Sequence, residues 1–186
     1  MSALGPEPGP FDGACPLSAS PRLTTPRDLK EPGAPPRARS LWYAHQGTTV
    51  YMLTKLPEGS ERKVGYEDSG WTTYERCSAE QIKKFFLFHA KWKLVLDLGA
   101  GGEDAGAQRR WPIGPDEFDA MVETRKFTNG ADLDAVKALY RKMSVNQLGG
   151  IEKLDFECMP PMGVEDAHRL GGCLKLCTNL EMLYLN

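Results

Sequence analysis

Near its carboxyl end the chain repeats itself. Ile151, Leu154 and Phe156 of IEKLDF return as Leu180, Leu183 and Leu185 of LEMLYL, each shifted by 29 residues. Residues two apart share a face of a β-strand, so in each copy the last two apolar side chains point the same way and the first packs at the entering turn. Between the copies, Val164, Ala167, Leu170, Leu174 and Cys177 recur at steps of three and four, the spacing of a helix with one apolar face. A strand, a helix and a second strand at a fixed period form a unit that cannot bury its own apolar face and needs its neighbour. The repeat therefore predicts parallel neighbouring strands joined through a helix packed on one side.

Over Leu148 to Asn186 this pattern resembles the leucine-rich repeat family in its ribonuclease-inhibitor-like form. The resemblance implies the first one or two units of a solenoid, with parallel strands lining a concave face and a function in protein–protein interaction. On that face the outward residues Asp155, Glu157 and Tyr184 are the expected contacts with a protein partner. The family places asparagine or cysteine after LxxLxLxx; here Met159 holds that position and Cys158 comes one residue early. A terminal repeat is often atypical, which suits a solenoid that begins at Ile151. An apolar strand edge left open is a liability, so the chain is expected to be part of a longer repeat protein, with a two-strand ornament on the preceding domain as the alternative.

Upstream, residues 1–40 are crowded with proline, glycine, alanine and serine and carry few large apolar side chains. Burial there cannot offset the entropy of ordering, so a disordered tail is expected; its segment PRDLKEPGAPPRAR also fits a polyproline-type ligand. Residues 41–147 have the composition of a folded α/β segment whose carboxyl-terminal part is helical. TTVYMLTKL, Thr48 to Leu56, reads as a strand. WTTYERCSAEQIKKFFLFHA reads as a helix over Trp71 to Ala90, with Ser78 and Gln81 in capping-box spacing, and KWKLVLDLG as a buried strand. Pro115 with Asp116 and Glu117 starts a helix to about Thr124. Leu133, Val136, Tyr140 and Met143 make Asp132 to Ser144 an amphipathic helix. The fold class is α/β: a tail over 1–40, an α/β segment over 41–147, and a repeat over 148–186.

Charge and cysteine content narrow the function. A net charge of -2 and a pI near 6.0 give no basic footprint for nucleic acid. Five cysteines, with no CxxC pair and no leading secretory signal, point to reduced thiols in a cytoplasmic protein. Cys173 and Cys177, one helical turn apart with His168 nearby, fall short of four zinc ligands, so no metal and no cofactor is expected. No apolar run reaches the length of a membrane span.

Two stretches raise the alternative of an enzyme. In YEDSGWTTYERCSAEQIKK, Ser69, Trp71 and Glu75 follow the S-x-W-x-x-x-E spacing of Toll/interleukin-1 receptor (TIR) domains, and Thr48 to Leu98 resembles the middle strand, helix and strand of that family. The resemblance implies that Glu75 would stabilise the cationic sugar in cleavage of NAD. In KLVLDLGAGGEDAG, Asp97, Gly99 and Gly101 resemble the D-x-G-x-G motif of S-adenosylmethionine-dependent methyltransferases, which implies cofactor binding; Glu103 stands where the next glycine belongs, and AGAQRRWPIGP breaks the helix that should follow. His45, His89 and His168 have no nucleophile motif beside them. Arg109, Arg110 and Trp111 fit either an anion-binding loop or a loop anchor.

Overall fold

The computed structural model describes residues 42–61, 63–87, 92–99 and 109–185. All of them belong to one unit, Pro35–Asn186. The tail expected over residues 1–40, the polyproline-type segment, Cys15, His89 and Gly101 lie outside the described residues.

The first elements form a parallel crossover. Strand β1 (Val50–Met52) leads to helix α1 (Gly70–Glu80), then to β2 (Phe86–Leu87) and β3 (Trp92–Lys93), which pair antiparallel with each other, and on to β4 (Val95–Asp97). β1 and β4 lie side by side and parallel, with Val50 opposite Val95 and Met52 opposite Asp97. Parallel strands need a crossover long enough for a helix, and α1 fills that place. Val50, Met52 and Val95 share one small core with Ala79 of α1.

Helix α1 is shorter than the helix expected over Trp71 to Ala90. The last carbonyls of a helix need partners, and a buried cation meets the chain there: Arg109 donates to the carbonyl of Glu80, the last helical residue, and to those of Lys83 and Lys84 in the turn beyond it. With those groups satisfied the helix stops at Glu80 and the chain turns into β2. Ser78, despite its capping-box spacing with Gln81, donates its hydroxyl to the Tyr74 carbonyl one turn back at 2.7 Å, the habit of a mid-helix serine.

The next two helices are α2 (Pro115–Glu123) and α3 (Asp132–Gly149). The second runs five residues past the expected Ser144 because Leu148 on its last turn is fully buried. α1, α2 and α3 enclose the principal core, built on Tyr74, Cys77, Phe118, Val122, Val136 and Tyr140. Phe118 and Tyr140 stack at 3.8 Å between centroids, and the Tyr140 hydroxyl donates to the Ile113 carbonyl at 2.9 Å, so this buried phenol is paired.

The carboxyl-terminal part is β5 (Lys153–Asp155), α4 (Val164–Leu174) and β6 (Met182–Tyr184). β5 and β6 are parallel partners in the register Lys153 to Met182, Leu154 to Leu183 and Asp155 to Tyr184. That offset is the 29-residue period of the sequence. It is reinforced outside the strands, where the Thr178 hydroxyl donates to the carbonyl of Gly149 at 3.0 Å. Leu154, Phe156 and Met159 form a core with Trp111 and Leu170, and Ile151, Leu174, Cys177 and Leu180 pack around it. The apolar face of α4 is narrower than its sequence spacing indicates: Leu170 and Cys173 are buried, whereas Val164 is 81% exposed.

Candidate functional site

Alternation along β5 turns Leu154 into the core and leaves Lys153 and Asp155 on the outer face. On β6 the same alternation places Tyr184 beside Asp155, as the register of the pair requires. The expected contact residues Asp155 and Tyr184 are thus neighbours, and Glu157 is exposed two residues beyond Asp155. Backbone hydrogen bonds extend the ladder past both ends of the strands. The Phe156 N–H donates to Tyr184 O at 3.0 Å, and Glu181 and Met182 both donate to Glu152 O, at 2.8 and 3.0 Å.

The side chains on this face hold one another. Lys84, arriving from the turn after α1, pairs with Asp155 Oδ2 at 3.0 Å, while Asp155 Oδ1 accepts the Glu157 N–H at 3.3 Å. The Lys153 ammonium lies 4.2 Å from the centre of the Tyr184 ring, a cation–π contact that fixes the ring at a solvent-facing position. Glu152, Glu157 and Glu181 are exposed around the edge of this patch. Met182, Leu183, Tyr184 and Leu185 are all exposed large apolar residues, and among the described residues β6 pairs with β5 alone. The arrangement suits contact with another polypeptide: a rigid aromatic, fixed charges and a strand edge.

The two stretches that raised enzymatic alternatives are structurally occupied as follows. Asp97, buried at the end of β4, accepts the Thr54 hydroxyl at 2.7 Å and the Gly99 N–H at 2.8 Å. These bonds tie the ends of β1 and β4 together. Gly99 is required there, since a Cβ would sit 2.4 Å from the Lys55 nitrogen. Ser69 is the N-cap residue of α1 without a side-chain capping bond. Trp71 is 36% exposed, with its indole N–H donating to Asp132 at 2.9 Å and its ring edge-on to Tyr74. Glu75, half-buried one turn on, acts on the Tyr66 phenol, whose ionisation is pushed up by burial first and by this carboxylate second.

The loop Arg109 to Trp111 is an anchor. Arg110 pairs with Glu80 at 3.0 Å and approaches Glu67 at 3.7 Å. Trp111 packs edge-on against Phe156 and donates its indole N–H to the Pro160 carbonyl at 3.2 Å. The buried ion network to which it leads went unread in the sequence. Glu80 also receives Arg76 at 3.2 Å, and Arg76 pairs with Glu67. The spacing of four between Arg76 and Glu80 was the available signal. A cavity of about 190 Å³ beside this network is lined by Arg110 and Arg169, but Arg169 is likewise matched, by Glu117, Glu165 and Asp166.

Two of the thiols, Cys77 and Cys173, are buried. Burial pushes Cys77 up to about 12 and also raises Cys173, so both stay protonated at neutral pH. Cys177 donates its thiol to the Cys173 carbonyl at 3.5 Å. Among the described residues no group of three or more histidine, cysteine, aspartate or glutamate side chains is placed to hold a metal ion, and no helix is long and apolar enough to cross a membrane. No family model, curated protein or solved structure matches the chain.

Proposed function

We propose that the protein is an interaction module of the leucine-rich repeat type, which engages a protein partner through the outer face of β5 and β6. The observation that carries this reading is the register of the strand pair: Leu154 opposes Leu183 and Asp155 opposes Tyr184, so the sequence period and the spatial repeat coincide. A unit repeated at this offset presents equivalent outward positions in rows, and such rows bind through shape and a few anchors rather than through chemistry. Tyr184, held by Lys153, is the aromatic anchor; Asp155 and Glu157 supply the charge that orients the partner. Exposed Met182, two residues from Tyr184 on β6, extends the same surface.

Affinity capture with the full chain tests the reading when run beside a Glu157→Lys/Tyr184→Ala variant whose fold is verified by circular dichroism. The expected outcome is a discrete protein partner retained by the parent chain and bound at least about 10-fold more weakly by the variant, the effect of removing one anchor and reversing one charge. Equal retention by both chains would overturn it.

A further inference from the structure

A second surface, remote in sequence from the strand pair, has the makings of a small-molecule site. It is a cleft of about 550 Å³ lined by Lys63, Val64, Ser69, Trp71, Lys126, Phe127 and Thr128, a volume within the range usual for ligand pockets. Its walls are built rather than incidental. The backbone at Ser69 bridges to Lys126: the Gly70 N–H donates to Lys126 O at 3.0 Å, and the Lys126 N–H donates to Asp68 O at 2.7 Å. The tip of the Phe127 ring reaches the start of α1, in space that only glycine leaves open, since a Cβ on Gly70 would come 2.0 Å from its Cζ. On the other side Trp71 is locked by its hydrogen bond to Asp132 and by its edge contact with Tyr74. A tryptophan so immobilised and still exposed is a surface on which a planar group stacks at little entropic cost.

The cleft's charge points to the other half of the ligand. Lys63 and Lys126 both line it and both are exposed. Neither ammonium takes part in an ion pair among the described residues, although eleven such contacts are formed elsewhere. Ser69 and Thr128 line the same space, and neither hydroxyl is bonded to a carboxylate among the described residues. Two unmatched cations, two hydroxyls and an aromatic wall are complementary to a single chemical class.

We infer that this cleft binds a small anion carried on a planar aromatic ring, with the ring against Trp71 and Phe127 and the phosphate or carboxylate between Lys63 and Lys126. The inference is independent of the strand-pair function, since it shares no residue with that face.

Isothermal titration of the full chain with phenyl phosphate and with benzoate, beside phenol and inorganic phosphate, provides the test. The expected result is saturable binding of phenyl phosphate with a Kd on the order of 1 mM or tighter. Benzoate, with a single charge, binds more weakly, and phenol and inorganic phosphate each bind at least roughly 10-fold more weakly because each offers only half of the contact. Lys126→Ala, an exposed substitution that leaves the fold intact by circular dichroism, weakens phenyl phosphate about 5- to 10-fold, and the loss shrinks as salt rises. Absence of saturable binding, binding no tighter than that of inorganic phosphate, or binding unchanged by both Lys126→Ala and Lys63→Ala would overturn the proposal.

Discussion

Glu80 is 2% exposed and receives Arg76 and Arg110 together, the first from its own helix and the second from a loop 30 residues on. Breaking a buried ion network from one side leaves uncompensated charge, which costs about 3–5 kcal/mol. Glu80→Ala is therefore expected to lower the unfolding free energy read from urea denaturation by an amount of that order; a loss below about 1 kcal/mol would place the pair in effective solvent. Cys158 works in the opposite sense. It holds φ at 64° just after β5, a left-handed conformation that costs a side-chain-bearing residue about 1–2 kcal/mol. Cys158→Gly should stabilise the protein by roughly 0.5–1 kcal/mol once the greater entropy of unfolded glycine is counted, readable as a rise in Tm. Neither feature was legible as such: the sequence shows Arg76 and Glu80 four apart, but only the fold brings Arg110 to them, and a cysteine gives no sign of a positive φ.

Among the elements, α1 shows most clearly where sequence pattern stops being informative. Its amphipathic beginning was legible, but its end was not, because Arg109, which binds the carbonyl at that end, comes from beyond the next three strands. The strands β1 and β4, the helices α2 and α3 and the repeat were legible, since each carries its own periodicity or start signal. The end of α1 also carries a pH dependence. Lys83 donates to the His45 carbonyl, and burial, helped by nearby Arg109, lowers it to about 8. Between pH 8 and the ordinary lysine value of 10.5 the unfolded chain binds more protons at this residue than the folded one, so its contribution to stability rises with pH across that window. Cys77 and Cys173, raised by burial, act in the opposite direction above about 9. The comparison that isolates Lys83 is the stability difference between the parent chain and Lys83→Met in urea at pH 8 and at pH 10. It should move in favour of the parent as pH rises; a pH-independent difference would mean that Lys83 is not held in a depressed state.

At the scale of the molecule, the described residues assemble as three cores joined by polar locks: one among the three helices, one under the β1–β4 crossover, and one beneath the strand pair. Trp111 links the anchor loop to the last of these through Phe156. On the candidate interaction face, the proximity of Asp155 and Tyr184 was legible because a period of 29 residues and the two-residue alternation of strands together fix which side chains become neighbours. The contacts of Lys84 and Lys153 were not, since they depend on where a turn and a flexible side chain come to rest. Nor was the cleft beside Trp71, whose lining comes from the loop before α1 and the segment after α2. Everything proposed for the outer face depends on register, because a slip of one residue would turn Tyr184 inward and Leu183 out. Nuclear Overhauser contacts across the strand pair measure that register directly. The expected result is contacts joining Leu154 to Leu183 and Asp155 to Tyr184, with slow exchange of the Phe156 amide that donates to Tyr184 O; contacts displaced by one residue, or none between the two segments, would contradict it.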